Sequence, residues 1–261
     1  MEEKKLIFYA RTYRKISANK TKCFVYMAVV ALVAILAAWQ HMSELTGAIT
    51  RLAAEVLAEN NPDMPIWIMH ETYPLIGDIR YLGSETTYPT FGFCIANAVV
   101  SFAAIVILVS MPWRGRPIPI YFILCFGIHM INSLWFIFAE EYFPYRLTDY
   151  SKLYMLQEIG VWIVFFIMTG AVTVIIGDKG TVWKLLTLIA VMVYSVVFGA
   201  VRYVACMYLL YKYSIIYMAL CYFVLGAMFD FTYLVMIYGF FVNRMVRLYD
   251  SQKGRGAWKW S

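Results

Sequence analysis

Hydrophobic residues in this chain run in long unbroken blocks rather than in alternation. Six blocks can be drawn, at 23 to 40, 91 to 111, 118 to 138, 158 to 177, 183 to 210 and 214 to 241. Each is long enough, as a helix, to cross about 30 Å of hydrocarbon. A membrane barrel would instead alternate at period two over about ten residues. The pattern predicts an all-α fold, a polytopic transmembrane helical bundle of about six spans. A basic tail covers 1–22, the membrane domain 23–241 and a second basic tail 242–261.

Between the first two blocks the pattern changes. "SELTGAITRLAAEVLAEN" places Leu45, Ile49, Leu52, Val56 and Leu57 on one helical face, with Glu44, Arg51 and Glu55 elsewhere. This predicts an amphipathic helix, either continuing the first span or lying on the membrane. The following stretch carries Pro62, Pro65, Pro74 and Pro89 with Gly77 and Gly83, which reads as an ordered but irregular loop. A further stretch, "AEEYFPYRLTDYSKLYMLQ", reads as a short Tyr-rich interfacial segment.

Charge orients the spans. Lys and Arg crowd the N-terminal tail (Arg11, Arg14, Lys15, Lys20, Lys22), the turns at Arg114 and Arg116 and at Lys179 and Lys184, and the C-terminal tail. The alternate segments are acidic or nearly neutral, so both termini are expected in the cytoplasm and 41–90 outside. With 62% hydrophobic and 15% charged residues, the chain is expected in a plasma membrane, of bacterial or archaeal cytoplasmic type, with no nucleic-acid partner. In the tail, Lys253, Arg255, Trp258, Lys259 and Trp260 form either a topology signal with aromatic anchors or a contact for anionic lipid headgroups.

Candidate chemistry is sparse. Five cysteines and three histidines are scattered singly, without the spacing of a disulfide framework or a metal site, and no cofactor motif is present. Cys94 and His129 differ in expected height by roughly 9 Å, too far for a nucleophile and its base. A thiol site at Cys94 would have to draw His70 and Arg80 down from the 41–90 segment. His129 and Asn132 read as interhelical hydrogen-bonding groups.

Arg202 stands out. It lies in "VFGAVRYVACMYLL", and a guanidinium in hydrocarbon needs a partner. Two are available, Glu158 near the start of the fourth block and Asp230 in the sixth. Counted from the turn near Lys212, Arg202 lies roughly 15 Å along its helix and Asp230 roughly 26 Å along the next. An Arg202–Asp230 pair therefore requires a tilt or an unequal connection. Both a structural tie and a functional site are open readings.

The stretch from "LQEIGVWIV" through "KLLTLIAV", "GAVRYVACMYLLYKYS" and "ALCYFVLGAM" resembles the core of the exosortase and archaeosortase membrane transpeptidases. Arg202 falls where that family carries its helix-borne Arg, "YLLYKY" resembles the turn behind it, and Gly160 matches the glycine of the opening motif. The nucleophile position holds Glu158 or Ile159, and the stretch from Ser214 to Met228 has no His. An overlay beginning at Cys94 keeps a Cys and an Asn but finds no Arg at Leu134 or Trp135. The resemblance implies a scaffold without thiol and base. The expected function is therefore a non-catalytic membrane subunit, in which Arg202, Glu158, Asp230, His129 and Asn132 bind, partnering surface-protein sorting or exopolysaccharide synthesis and export. The alternatives are a cysteine-dependent transpeptidase using Cys94 with His70 and Arg80 or Arg202, or a small transporter or channel.

Overall fold

The computed structural model describes residues 14–16, 20–74, 76–112, 117–175, 180–250 and 258–260. Of the basic positions named above, Arg11, Arg114, Arg116, Lys179, Lys253 and Arg255 lie outside these. The described residues form a bundle in which five helices are long and apolar enough to cross a membrane. A short strand β1 (Arg14–Ile16) precedes helix α1 (Lys20–Asn60). Then come the strands β2 (Ile66–Tyr73) and β3 (Gly77–Ser84), and the helices α2 (Phe91–Ser110) and α3 (Pro117–Ala139). The chain continues through α4 (Leu147–Ile175) and α5 (Thr181–Lys212) to α6 (Phe229–Asp250) and β4 (Trp258–Trp260). β4 pairs antiparallel with β1, with Arg14 opposite Trp260, so the two terminal segments meet.

α1 contains the first apolar block and the amphipathic stretch in one continuous helix. Its buried face is rotated from the expected one. Thr46, Ile49, Thr50, Ala53 and Leu57 are buried, whereas Leu52 and Val56 are exposed. The two threonines decide the rotation, because they reach a neighbouring strand. Thr50 Oγ1 donates to the Arg80 carbonyl at 2.9 Å, and the Arg80 N–H donates to Thr46 Oγ1 at 3.4 Å.

That neighbour corrects the irregular loop expected after α1. β2 and β3 form an antiparallel hairpin running from Ile66 opposite Ser84 to Tyr73 opposite Gly77. The prolines flank the strands instead of interrupting them, and Gly77 supplies the turn with a positive φ of 82°. Gly83 faces Trp67 across the ladder, and a Cβ there would collide with the indole. β3 packs on α1 and α4, burying Ile79, Tyr81 and Leu82.

Two more boundaries differ from expectation. α4 begins at Leu147, well before the fourth block, so Tyr150, Ser151 and Tyr154 are buried core rather than an interfacial belt. The Leu147 N–H donates to Thr86 Oγ1 at 2.9 Å, and Asp149 accepts from the Arg146 N–H at 2.8 Å, which together start the helix there. The sixth block is broken into a 3-10 turn (Ile215–Tyr217), a π-helical stretch (Leu220–Met228) kinked at Gly226, and α6.

α2 packs chiefly on α3. Apart from Cys94 and Ser101 it buries almost nothing, and Ile95, Val99, Val100, Phe102 and Ile107 lie on the surface. Such a face is stable against lipid, which is as apolar as the side chains themselves. The core lies elsewhere, between α4, α5 and the segment after α5, around Tyr150, Tyr154, Trp162, Tyr203, Met207 and Ile216.

Candidate functional site

The centre of the site is Arg202, only 6% exposed on α5. A guanidinium has five N–H donors and no acceptor. Here all five are engaged. Nε donates to the Tyr154 hydroxyl at 2.8 Å, and Nη1 to the Gly226 carbonyl at 3.1 Å and to Asp230 Oδ1 at 2.8 Å. Nη2 donates to Asp230 Oδ2 at 2.9 Å and to Glu158 Oε1. The Asp230 contact is bidentate, the geometry in which Arg and carboxylate match best. Glu158 and Asp230 are themselves 1% and 0% exposed.

Three elements converge to make this arrangement. Tyr154 and Glu158 stand one turn apart on α4, at i and i+4, and so share a face. Arg202 and Gly199 lie together on α5, where the missing side chain of Gly199 leaves the space filled by Glu158 Oε2; a Cβ there would stand 2.5 Å from that oxygen. Asp230 opens α6. Its expected height mismatch with Arg202 is removed by the segment between them. A π-helix puts more residues into each turn, so it advances less per residue than an α-helix, and the Gly226 kink bends what remains. The kink also turns the Gly226 carbonyl toward Nη1.

Sequence reasoning did not find Tyr154, Gly199 or Gly226. The i, i+4 relation of Tyr154 to Glu158 was the available signal. Around the triad, Tyr233 donates to Ser195 Oγ at 2.7 Å and its ring meets those of Phe165, Tyr194 and Phe198, closing the site toward the far end of α6. The Arg202 guanidinium carbon also lies 5.4 Å from the Tyr154 ring centre and 5.6 Å from that of Phe198.

His129 and Asn132 belong to a different cluster. Asn97 Oδ1 accepts from the Tyr217 hydroxyl at 3.0 Å and from His129 Nε2 at 3.0 Å, which places the imidazole proton on Nε2. The His129 ring stacks on Tyr217 with centroids 4.8 Å apart. Asn132 donates to the Ile216 carbonyl. Both residues thus join α3 to α2 and to the segment after α5. Asn132 also reaches a cavity of about 680 Å³ walled by Ile128, Trp135, Phe143 and Phe223, and neither Arg202 nor Asp230 lines it. Among the described residues, no group of three or more His, Cys, Asp or Glu is placed to hold a metal ion.

The proposed thiol set is not assembled. Cys94 is 1% exposed in α2. His70 and Arg80 face each other across the hairpin, His70 exposed and the Arg80 side chain lying over Gly47 of α1. The hairpin rests on α1 and α4, while α2 rests on α3. Rigid strand pairing is what prevents His70 and Arg80 from folding down as a loop could.

On the hairpin, outside the spans, the Glu71 carboxylate lies 2.6 Å from the Lys152 ammonium of α4, whose hydrogen bond holds that carboxyl below its ordinary range. Burial pushes the Tyr81 phenol up. The hairpin is further pinned by the Leu82 N–H, which donates to the Tyr203 hydroxyl at 2.9 Å and to Ser151 Oγ at 3.0 Å.

Fold and site together describe a membrane-integral helical bundle with a buried charge cluster. No protein-family model, curated protein or solved structure matches the chain.

Proposed function

We propose that the chain is a non-catalytic integral membrane subunit, a scaffold in which Arg202 ties α4, α5 and α6 together. One observation carries this reading: every N–H of Arg202 is already met by an acceptor of the same chain. An arginine kept to grip a substrate carboxylate or phosphate would present at least part of its fork unfilled. The separation of Cys94 from His70 and Arg80 supports the same conclusion, because thiol catalysis needs a base within reach.

The resemblance to exosortase cores directs the search for a partner. Glu158, which with Ile159 is one of the two residues that can stand at the nucleophile position in that overlay, is in contact with Arg202. A carboxylate there stabilises the arginine but cannot take the place of a thiolate. The partners to seek are therefore components of surface-protein sorting or of exopolysaccharide synthesis and export. Both termini are assigned to the cytoplasmic side by their positive charge, and the pairing of β1 with β4 is consistent with a common side.

The deciding experiment is extraction of the tagged chain from its own membranes in a mild detergent, with quantitative identification of what is retained. A stoichiometric membrane partner is expected. Recovery as a lone monomer under conditions that preserve other complexes of that membrane would overturn the reading. A membrane-impermeant maleimide gives an independent check. Buried Cys94 is expected to stay unlabelled in intact cells, and labelling that abolishes activity would restore the transpeptidase alternative.

A further inference from the structure

At the end of the bundle remote from the hairpin, α6 turns from apolar to basic along one face. Phe240, Asn243, Arg244 and Arg247 follow one another at i, i+3, i+4 and i+7, so they form a single stripe on the helix. Phe240 is 70% exposed and stands where the apolar span is ending; Arg247 is its last residue. Across from the stripe stands Trp183, near the start of α5, and the Arg244 guanidinium carbon lies 4.5 Å from the centre of its ring. These five residues enclose a cleft of about 280 Å³.

We infer that this cleft is a binding site for the headgroup of an anionic phospholipid. The first argument is depth. The stripe climbs roughly 10 Å from Phe240 to Arg247 at 1.5 Å per residue. That climb covers the passage from the acyl boundary into the headgroup layer, which is several ångströms thick on each side of the membrane. Phe240 thus meets acyl chain where the arginines meet phosphate.

Charge supplies the second argument. Neither Arg244 nor Arg247 has a carboxylate partner among the described residues; of the two carboxylates of α6, Asp230 is committed to Arg202 and Asp250 lies one turn beyond Arg247 at the helix end. Two guanidiniums with no ion-pair partner among the described residues favour an anion, and their forked donors match phosphate oxygens. Stacking on Trp183 fixes the orientation of Arg244 before any ligand arrives. The Asn243 amide adds a neutral donor beside the pair.

The third argument is size. The cleft lies at the small end of ligand pockets, near 300 Å³. It suits a phosphodiester with its glycerol and not a nucleotide or an oligosaccharide. A topology signal alone would ask only for positive charge at this end of the bundle. It would not ask for two arginines and an amide on one stripe, with one arginine stacked on a tryptophan. The site stands independently of the scaffold reading.

The test is native mass spectrometry of the full chain reconstituted with equal phosphatidylcholine and phosphatidylglycerol, then taken into detergent and partly delipidated. Wild-type protein is expected to retain phosphatidylglycerol in preference to phosphatidylcholine. Arg244→Gln with Arg247→Gln should lower that retention on the order of tenfold, as removal of charge-assisted hydrogen bonds does. Arg247→Lys, which keeps the charge and loses the fork, should fall between the two. Equal retention of both lipids, or retention unchanged in the double variant or in Arg247→Lys, overturns the site. So does displacement of the lipid by inorganic phosphate, which would make free phosphate the ligand. If the double variant does not fold, Asn243→Ala, an exposed replacement, decides in its place: weaker phosphatidylglycerol retention supports the site and unchanged retention removes it.

Discussion

Arg202 and Asp230 form a bidentate ion pair across α5 and α6, with Nη1 to Oδ1 at 2.8 Å and Nη2 to Oδ2 at 2.9 Å. Removing Asp230 leaves Arg202 with Glu158 as its one carboxylate and two of its buried N–H donors unmet, so Asp230→Ala is predicted to cost about 3 kcal/mol. A combined Arg202→Met, Asp230→Leu and Glu158→Leu variant removes all three charges and should lie closer to wild type than the single change. Reversible unfolding in mixed micelles measures both. A triple variant less stable than Asp230→Ala would show that the cluster does more than satisfy its own charges.

Gly199→Ala sets two effects against each other. In an ordinary helix interior the change stabilises by roughly 0.5–1 kcal/mol. Here the new Cβ would stand 2.5 Å from Glu158 Oε2 and 3.1 Å from its carboxyl carbon, and Glu158 is held by Arg202. Overpacking of this kind costs about 1–3 kcal/mol, so net destabilisation is predicted. A melting temperature equal to or above that of wild type would mean that Glu158 swings away freely.

Tyr203→Phe deletes the hydroxyl that accepts from the Leu82 N–H and lies 2.5 Å from Ser151 Oγ. The predicted loss is about 1 kcal/mol, since Ser151 still serves the amide. Its location is the sharper expectation: hydrogen exchange should quicken at Leu82 and its neighbours in β3, while α2 and α3 remain unchanged. Uniform quickening across the bundle would contradict this view of Tyr203 as the hairpin's anchor.

The Glu71–Lys152 bridge makes hairpin docking depend on pH. Because the native carboxyl titrates below its unfolded value of about 4.3, the unfolded form binds more protons in that interval. The stabilisation is therefore fully present above that unfolded value and is lost as pH falls through the native one. Both groups are partly exposed, so the effect is predicted to stay under about 1 kcal/mol and to shrink in salt. Comparing hairpin exchange rates between pH 6 and pH 3 in wild type and Lys152→Met measures it. An identical pH response in the two proteins would rule the bridge out as its source.

The membrane class and the bundle were legible in the linear pattern because burial in lipid demands only sustained apolar length, which is a property of consecutive residues. Four of the six blocks contribute to α2, α3, α4 and α5, and the strangeness of Arg202 could be seen without any coordinates. The hairpin was hidden because its prolines and glycines are equally at home in a loop; only strand pairing, together with Thr46, Thr50 and Tyr203 reaching its backbone, distinguishes the two. The partners of Arg202 likewise could not be chosen by counting 1.5 Å per residue. A π-helical stretch and a kink at Gly226 changed the height of Asp230, and the gap at Gly199 made room for Glu158, so the arginine holds both carboxylates at once. Local hydrophobicity determines which segments enter the bilayer, whereas the pairing of charges inside it depends on where helices bend and how closely they approach, and only packing decides that.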